Sequence, residues 1–249
     1  HAAGIEVNIN CVINAYNADH LDESIRYWME HHPHIRHFIW NNLDPSMGRA
    51  ETNQARFTPR LADFEASLHR AMTLLHGSGR TFRVEKVPLC YMSDFAWAST
   101  ETRKIVKMEE RIVHFLDDKQ TVRQTDWDHL YAEGCQHCSL RKICGGLFER
   151  GQGYDPAELA PVFVPLETPV RAILDDPTDP SFANLSFDAW QQQFDAFNQP
   201  TEDVVSPINP QARVNVGKVT QRGLRLYESK RESESRRARH LGIVPEHSS

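Results

Sequence analysis

Residues 5–17 decide the fold of this chain; they read IEVNINCVINAYN. The first nine, 5–13, are rich in β-branched side chains and predict a buried strand, and the polar residues 14–17 predict the turn that ends it. Cys11 lies inside the apolar run, where we expect a thiol to act as a small buried hydrophobe. Because the strand follows the first residue so closely, with no turn or cap before it, we expect the chain to begin in the middle of a domain.

Helical and strand patterns alternate along the next stretch. A helix with Leu21 and Ile25 on its apolar face is predicted after Asp19, its expected N-cap, and Pro33 should end it. A second strand is predicted over 35–40. Thr58 is the expected cap of a second helix, whose apolar face has Leu61, Phe64, Leu68, Met72 and Leu75, and a third strand is predicted over 81–87.

This order of elements is typical of an α/β fold with parallel strands. In such folds ligands bind beyond the carboxyl ends of the strands. We therefore expect five residues at strand ends to share one mouth: Asn14, Asn17, Asn41, Asn42 and Cys90.

Three cysteines with short spacing follow, in Cys135-x-x-Cys138-x5-Cys144, and Gly145 and Gly146 come directly after them. Such spacing brings sulfur atoms together around a metal or an iron–sulfur cluster, and Cys90 is the expected fourth ligand. The run with a distant fourth cysteine favours iron, although thiolates also suit zinc, and spacing alone does not choose between them. A set of three cysteines with His137 is a weaker zinc alternative, and disulfides fit poorly in a long chain with few cysteines.

The later segments are less regular. Residues 101–118 favour a helix, although 111–115 also fit one arm of a hairpin. An amphipathic helix is predicted over 187–197, and it needs a groove for its aromatic face. The arginine-rich segment 221–240 has interspersed glutamates and indicates a solvated or disordered helix.

Composition limits the classes of function. The chain has 249 residues and a formal net charge of −6, so a full hydrophobic core is possible and a nucleic-acid or anionic membrane surface is not favoured as the main binding partner. No apolar stretch is long enough to span a bilayer, and the first residues do not have the layout of a signal peptide. We expect a soluble protein of the cytoplasm.

Three passages resemble the C-terminal part of a radical S-adenosylmethionine (radical SAM) enzyme with an auxiliary cluster of the SPASM or twitch kind. Residues 9–17 and their helix are similar to the fourth βα unit of that family's barrel, and residues 42–50, NLDPSMGRA, are similar to a Pro-x-Gly-Arg-Ala passage after a later strand. The third passage joins Pro88-Leu89-Cys90 to the later cysteines. The family's Cys-x-x-x-Cys-x-x-Cys loop is absent from this sequence, so the resemblance covers only the C-terminal half.

The resemblance implies an α/β fold, the C-terminal half of a partial (βα)6 TIM-type barrel at 1–89, a cysteine-rich cluster domain at 90–165 and a linker and tail at 166–249. It implies that Cys90, Cys135, Cys138 and Cys144 hold an auxiliary 4Fe–4S cluster, and that Asn14 and Asn17 contact S-adenosylmethionine, although both asparagines equally fit a role as turn caps.

For the complete enzyme, the resemblance implies a second 4Fe–4S cluster, S-adenosylmethionine, an external electron donor and a peptide as the substrate. Its reaction would be hydrogen abstraction through a 5'-deoxyadenosyl radical, and the isolated chain is expected to be incomplete and inactive. The alternative is a non-catalytic zinc module that acts in protein–protein interaction.

Overall fold

The computed structural model describes residues 3–46, 48–109, 129–148, 153–182 and 184–198, and the backbone of four short strands elsewhere. Contacts divide the chain into two units. The first comprises His1–Glu109 and Trp127–Ala196, and the second comprises Glu110–Asp126 and Phe197–Ser249.

A three-stranded parallel sheet organises the first unit. Its strands are β1 (Ile9–Ile13), β2 (His37–Asn42) and β3 (Thr81–Glu85), in the order β1-β2-β3. Register places Ile9 opposite Phe38 and Asn41 opposite Glu85. The predicted parallel pairing of three strands is confirmed, whereas a partial barrel stays a prediction.

Four helices lie between these strands: α1 (Leu21–His31), α2 (Gly48–Glu51), α3 (Gln54–Phe57) and α4 (Leu61–Gly77). The two long ones, α1 and α4, pack on each other. All five apolar residues predicted for α4, from Leu61 to Leu75, are buried, and they join Phe38, Trp40 and Phe82 of the sheet in one core.

Both predicted N-caps are wrong by one or two positions. Asp19 lies in a 3-10 helix, Ala18–His20, that precedes α1, and its carboxylate bonds the ring of His20 instead of a helix N–H group. The N-cap of α4 is Arg60, whose backbone N–H donates to the Asp63 carboxylate at 2.9 Å. Because Asp63 reaches back in this way, Thr58 has no capping role, and its buried hydroxyl has no hydrogen-bond partner among the described residues.

After β3 the chain continues through two 3-10 helices, Leu89–Tyr91 and Ser93–Ala98, into α5 (Thr100–Val106). A single parallel bridge joins Ser99 to Val84 of β3. The Ser99 hydroxyl also caps α5, because it accepts from the Thr102 N–H. The helix predicted over 101–118 therefore ends at Val106, and the prediction is wrong for residues 112–114. Residues 112–114 form β4 (Ile112–His114), which pairs antiparallel with β5 (Thr121–Arg123) in the second unit, so the hairpin alternative holds there.

The chain returns to the first unit through β6 (His129–Leu130), the 3-10 helix Glu133–His137 and β7 (Leu147–Phe148), which pairs antiparallel with β6. The 3-10 helix Pro156–Glu158, α6 (Glu167–Leu174), the 3-10 helix Pro180–Phe182 and α7 (Phe187–Phe197) follow.

The amphipathic helix predicted over 187–197 is confirmed as α7. Trp190 and Phe194 are buried, and the indole N–H of Trp190 donates to the Val106 carbonyl at 2.8 Å. Ile173 and Leu174 of α6 are also buried, so residues beyond 166 contribute to the core. The predicted domain boundaries stay predictions.

A buried ionic network holds the loop between α6 and α7. One oxygen of Asp176 accepts from the guanidinium groups of Arg103, at 2.5 Å, and Arg83, at 3.4 Å. Its other oxygen accepts from the backbone N–H and the hydroxyl of Thr178, at 2.9 and 2.7 Å. Further along the loop, Lys107 forms an ion pair with Asp179.

In the second unit, β8 (Asp203–Val205) pairs antiparallel with β9 (Arg213–Asn215). The segment 221–240, predicted as a solvated helix, lies outside the described residues. None of the helices in the described part of the chain has the length and apolar character needed to cross a membrane.

Candidate metal centre

All four cysteines predicted as ligands line one cavity. Cys90, Cys135, Cys138 and Cys144 share its wall with apolar residues that include Leu89 and Leu159, and with Tyr131 and Arg141. The cavity is partly open, and the empty space between these residues is about 310 Å³ when the part that belongs to solvent is included. The structure thus brings together sulfur atoms from chain segments that are far apart in the sequence.

Local backbone structure explains where each sulfur lies. Cys90 belongs to the 3-10 helix Leu89–Tyr91, the first helix after β3, and Pro88 before it has an extended conformation. Cys135 lies in the 3-10 helix Glu133–His137, and Cys138 is the C-cap of that helix. Cys144 precedes Gly145, where the chain turns towards β7. Short turns therefore present all three neighbouring thiols from one loop.

Backbone N–H groups donate to two of the sulfurs. Val162 donates to Cys138 Sγ and Gly146 donates to Cys144 Sγ, both at 3.3 Å. The backbone of Ala160 also acts to lower the pKa of Cys90, and that of Leu89 acts to lower the pKa of Cys144, although burial outweighs both effects. Such donors stabilise negative charge on sulfur, and they tune the electronics of a thiolate that ligates a metal.

Gly146 is required by close packing in this loop. Its φ is +56°, in the left-handed region that favours glycine. A Cβ atom at this position would lie 2.6 Å from the Tyr131 ring and 2.8 Å from the Leu130 carbonyl oxygen. The glycine lets its own N–H approach the Cys144 sulfur while the Tyr131 ring closes over the loop.

The thiols influence one another through their charges. Burial, with smaller contributions from the nearby Cys144 and Cys135, raises the pKa of the Cys90 thiol to about 11. Burial also raises the pKa of Cys144, with added contributions from Cys138 and Cys135. Because a thiol ligand must lose its proton to bind a metal, metal binding at Cys90 would release a proton at neutral pH.

The alternative ligands do not reach this cavity. His137 is exposed and is not among the residues that line it, so Cys90 is the better fourth ligand. Cys11 is half-buried and packs against the core of the sheet, as expected of a structural thiol. All five cysteines are free thiols.

The arrangement of the four thiols is not that of a preformed site for one metal ion. Among the described residues, no group of three or more His, Cys, Asp or Glu side chains is placed so that it could hold one metal ion. Four thiolates on one zinc ion lie only about 3.8 Å apart, as bonds of about 2.3 Å in a tetrahedron require. A cluster binds each thiolate through a different iron atom, so its ligands are more widely spaced.

Asn14 and Asn17 have local hydrogen-bond partners. The Asn17 amide donates to the Val12 carbonyl at 2.9 Å, and its oxygen accepts from the Asn14 N–H at 2.9 Å. The Asn14 side chain accepts from the Tyr16 N–H at 2.9 Å and donates to the Val12 carbonyl at 3.0 Å. These contacts are those of the turn that follows β1, and the contact of both residues with S-adenosylmethionine stays a prediction.

The end of β2 is closed by a buried tyrosine. The Tyr154 hydroxyl donates to Asn42 Oδ1 at 2.8 Å and is also 3.0 Å from the Leu43 carbonyl oxygen. The Asn42 amide donates to the Lys86 carbonyl, while the Asn41 amide donates to Asn10 Oδ1 on β1. Tyr154 therefore ties the loop after the cysteines to the sheet.

Sequence reasoning missed Tyr131 and Arg141. The guanidinium carbon of Arg141 lies 3.4 Å from the centre of the Tyr131 ring, and the Tyr131 hydroxyl donates to the Cys144 carbonyl at 2.9 Å. Arg141 lies inside the cysteine run, and that position was the one available signal. Neither residue belongs to a motif, since the contact between them depends on how the loop folds.

Comparisons with protein-family models, with curated proteins and with solved structures found no match to this chain.

Proposed function

We propose that Cys90, Cys135, Cys138 and Cys144 hold a 4Fe–4S cluster, and that the chain is part of a radical SAM enzyme in which this is the auxiliary cluster. The observation that carries the proposal is the single cavity lined by four thiols from distant segments, with backbone N–H groups directed at the sulfurs. The run Cys135-x-x-Cys138-x5-Cys144 with a distant fourth cysteine favours a cluster over one zinc ion.

The donor set fits the proposed group. Thiolates are the standard ligands of iron–sulfur clusters, and the cavity wall is otherwise almost entirely apolar. When bound, the cluster would supply one-electron transfer or an iron atom to which a substrate binds. The residues of this chain would hold the sulfurs and donate hydrogen bonds to them, and Leu89 and Leu159 would form part of the apolar wall.

The wider activity is proposed from the sequence resemblance. In the complete enzyme a second cluster would cleave S-adenosylmethionine, an external donor would supply electrons, and the substrate would be a peptide. The parallel sheet with a cluster site just beyond the end of β3 supports this assignment, because ligand sites in α/β folds lie beyond the carboxyl ends of the strands.

Metal content tests the cluster directly. The full chain, purified without oxygen and reconstituted with iron and sulfide, should contain about four irons and about four sulfides. Cys90→Ala should lower the iron content, whereas Cys11→Ala is the matched control and should not change it, since Cys11 does not line the cavity.

Two results would contradict the proposal. Zinc in the purified chain, with neither iron nor acid-labile sulfide after reconstitution, would replace the cluster with the alternative zinc module. Equal iron content in the Cys90→Ala variant and the parent chain would remove Cys90 from the ligand set.

A further inference from the structure

Arg141 is the basic side chain in the wall of the cysteine cavity, and it is held in place by Tyr131. Its guanidinium carbon is 3.4 Å from the centre of the Tyr131 ring, a separation at which a cation and an aromatic face attract each other. Tyr131 is fixed in turn, because its hydroxyl donates to the Cys144 carbonyl at 2.9 Å and its ring packs against Gly146. The positive charge is thereby attached to the loop that carries three of the four thiols.

No acidic group neutralises this charge within the part of the chain that the structure describes, where Arg141 forms no ion pair. The neighbouring Lys142 is also exposed, but it pairs with Asp195 at 3.1 Å and does not line the cavity. Of these two adjacent, exposed cations, Arg141 lines the cysteine cavity and Lys142 has a carboxylate partner.

The cysteine site needs a positive charge when it is loaded. Four thiolates around an oxidised 4Fe–4S core, or around one zinc ion, carry a net charge of about −2. Apart from Arg141 and the thiols, the lining residues have no ionisable group other than the Tyr131 phenol. A buried charge in such surroundings is costly unless an opposite charge compensates it.

We propose that Arg141, stacked on Tyr131, is the charge-compensating residue of the cysteine site and sets the reduction potential of the cluster bound there. This inference rests on the proposed function. A nearby positive charge stabilises the reduced cluster, which is more negative than the oxidised one, so Arg141 raises the potential. At an effective dielectric constant of about 20, a unit charge within about 12 Å changes the equilibrium constant for one-electron reduction by about tenfold or more.

The test is a redox titration of the full, reconstituted chain, followed by electron paramagnetic resonance. Arg141→Gln should lower the equilibrium constant for reduction at least tenfold, which is a shift of about 59 mV to more negative potential. Lys142→Gln is the matched control and should leave the potential unchanged. Arg141→Lys should restore most of the shift, because it returns the charge without the planar guanidinium group.

The inference is overturned if Arg141→Gln loads the same amount of iron and has the potential of the parent chain. If the Arg141→Gln variant binds no iron, the Arg141→Lys variant distinguishes a charge role from a packing role. If Arg141→Lys regains the iron content and the reduction potential of the parent chain, the charge role is supported. If neither variant binds iron, Arg141 acts in packing and the inference is overturned.

If the purified protein holds zinc and no iron, the proposed function is refuted, but the charge-compensating role of Arg141 can still be tested. The same variants would then be compared by competition for zinc with a chelator. Arg141→Gln should bind zinc at least tenfold more weakly than the parent chain, and Lys142→Gln should bind it equally well. Equal zinc binding by Arg141→Gln and the parent chain would overturn the charge-compensating role.

Discussion

Replacing Asp176 with asparagine should destabilise the first unit by removing the negative charge that two buried arginines share. Arg103 is 10% exposed, Asp176 is 13% exposed and Arg83 is 23% exposed at the side chain. Arg103 is already short of partners, since its Nη1 atom is buried with no hydrogen-bond partner among the described residues. Asparagine keeps the size of the side chain and an oxygen for the Thr178 hydrogen bonds.

The expected cost is about 3 kcal/mol. Breaking a buried ion pair by removing one partner costs about 3–5 kcal/mol, because the other charge stays buried without compensation. The lower end applies because Arg83 retains some contact with water. Total stability of a domain is about 5–15 kcal/mol, so the change removes a large share of it. For a unit of this size the thermal midpoint should fall by roughly 6 °C or more.

The same network predicts the pH dependence of the loss. Burial raises the pKa of Asp176, but hydrogen bonds from Thr178 and the charge and hydrogen bond of Arg103 outweigh burial and hold that pKa below its usual range. A carboxyl group with a lowered pKa stabilises the folded state above its unfolded pKa of about 3.9, and this stabilisation is lost as pH falls through the folded pKa. The difference between parent and variant should therefore be full at pH 7 and shrink below about pH 4.

Urea unfolding at several pH values measures this difference. Asp175→Asn is the matched control, because Asp175 is the adjacent residue, is half-exposed and pairs with Arg171 within α6 and its C-cap. It should cost no more than about 1 kcal/mol. Equal urea midpoints for the two variants at pH 7, or a loss in Asp176→Asn that persists unchanged at pH 3, would refute the reasoning.

Three further predictions concern packing. Gly146→Ala should lower metal content and stability together, because its Cβ would collide with the Tyr131 ring; iron content equal to that of the parent chain would contradict this. Trp190→Ala should cost about 3–5 kcal/mol in urea unfolding, since the side chain is fully buried and bonds the Val106 carbonyl, and a cost below 1 kcal/mol would show that α7 does not dock as described. Tyr154→Phe should cost about 1–3 kcal/mol by leaving buried acceptors unpaired, and an unchanged midpoint would argue against those hydrogen bonds.

The sheet and its two long helices could be predicted from the sequence because they depend on local periodicity. The apolar spacing from Leu61 to Leu75 and the strands on either side of it are local signals, and α7 follows from the same kind of pattern. The ends of elements were less accurate, since Asp63 competed with Thr58 for the start of α4. Residues 101–118 were misjudged because a helical spacing continued past Val106 into residues that pair as a strand.

The sequence predicted which cysteines lie together, but not what surrounds them. Cysteine spacing is a property of the sequence, so the grouping of Cys90 with the three later cysteines around one cavity could be predicted, while their role as ligands stays a prediction. The N–H donor at Val162 and the stack of Arg141 on Tyr131 arise from contacts between separate segments. Sequence periodicity does not encode such contacts.

The hydrogen bonds from backbone N–H groups to sulfur give two of the cysteines a structural role, whatever they bind. Val162 is attached to Cys138, and Gly146 is attached to Cys144. Oxidation of either thiol to sulfinic or sulfonic acid is irreversible for most proteins and replaces the sulfur acceptor with bulky charged oxygens. Oxidative damage at Cys138 would therefore remove one anchor of Val162 and leave the contacts of Ser139 with Val162 and Val164. Faster hydrogen exchange of the Val162 N–H would report the damage even in a chain that carries no metal.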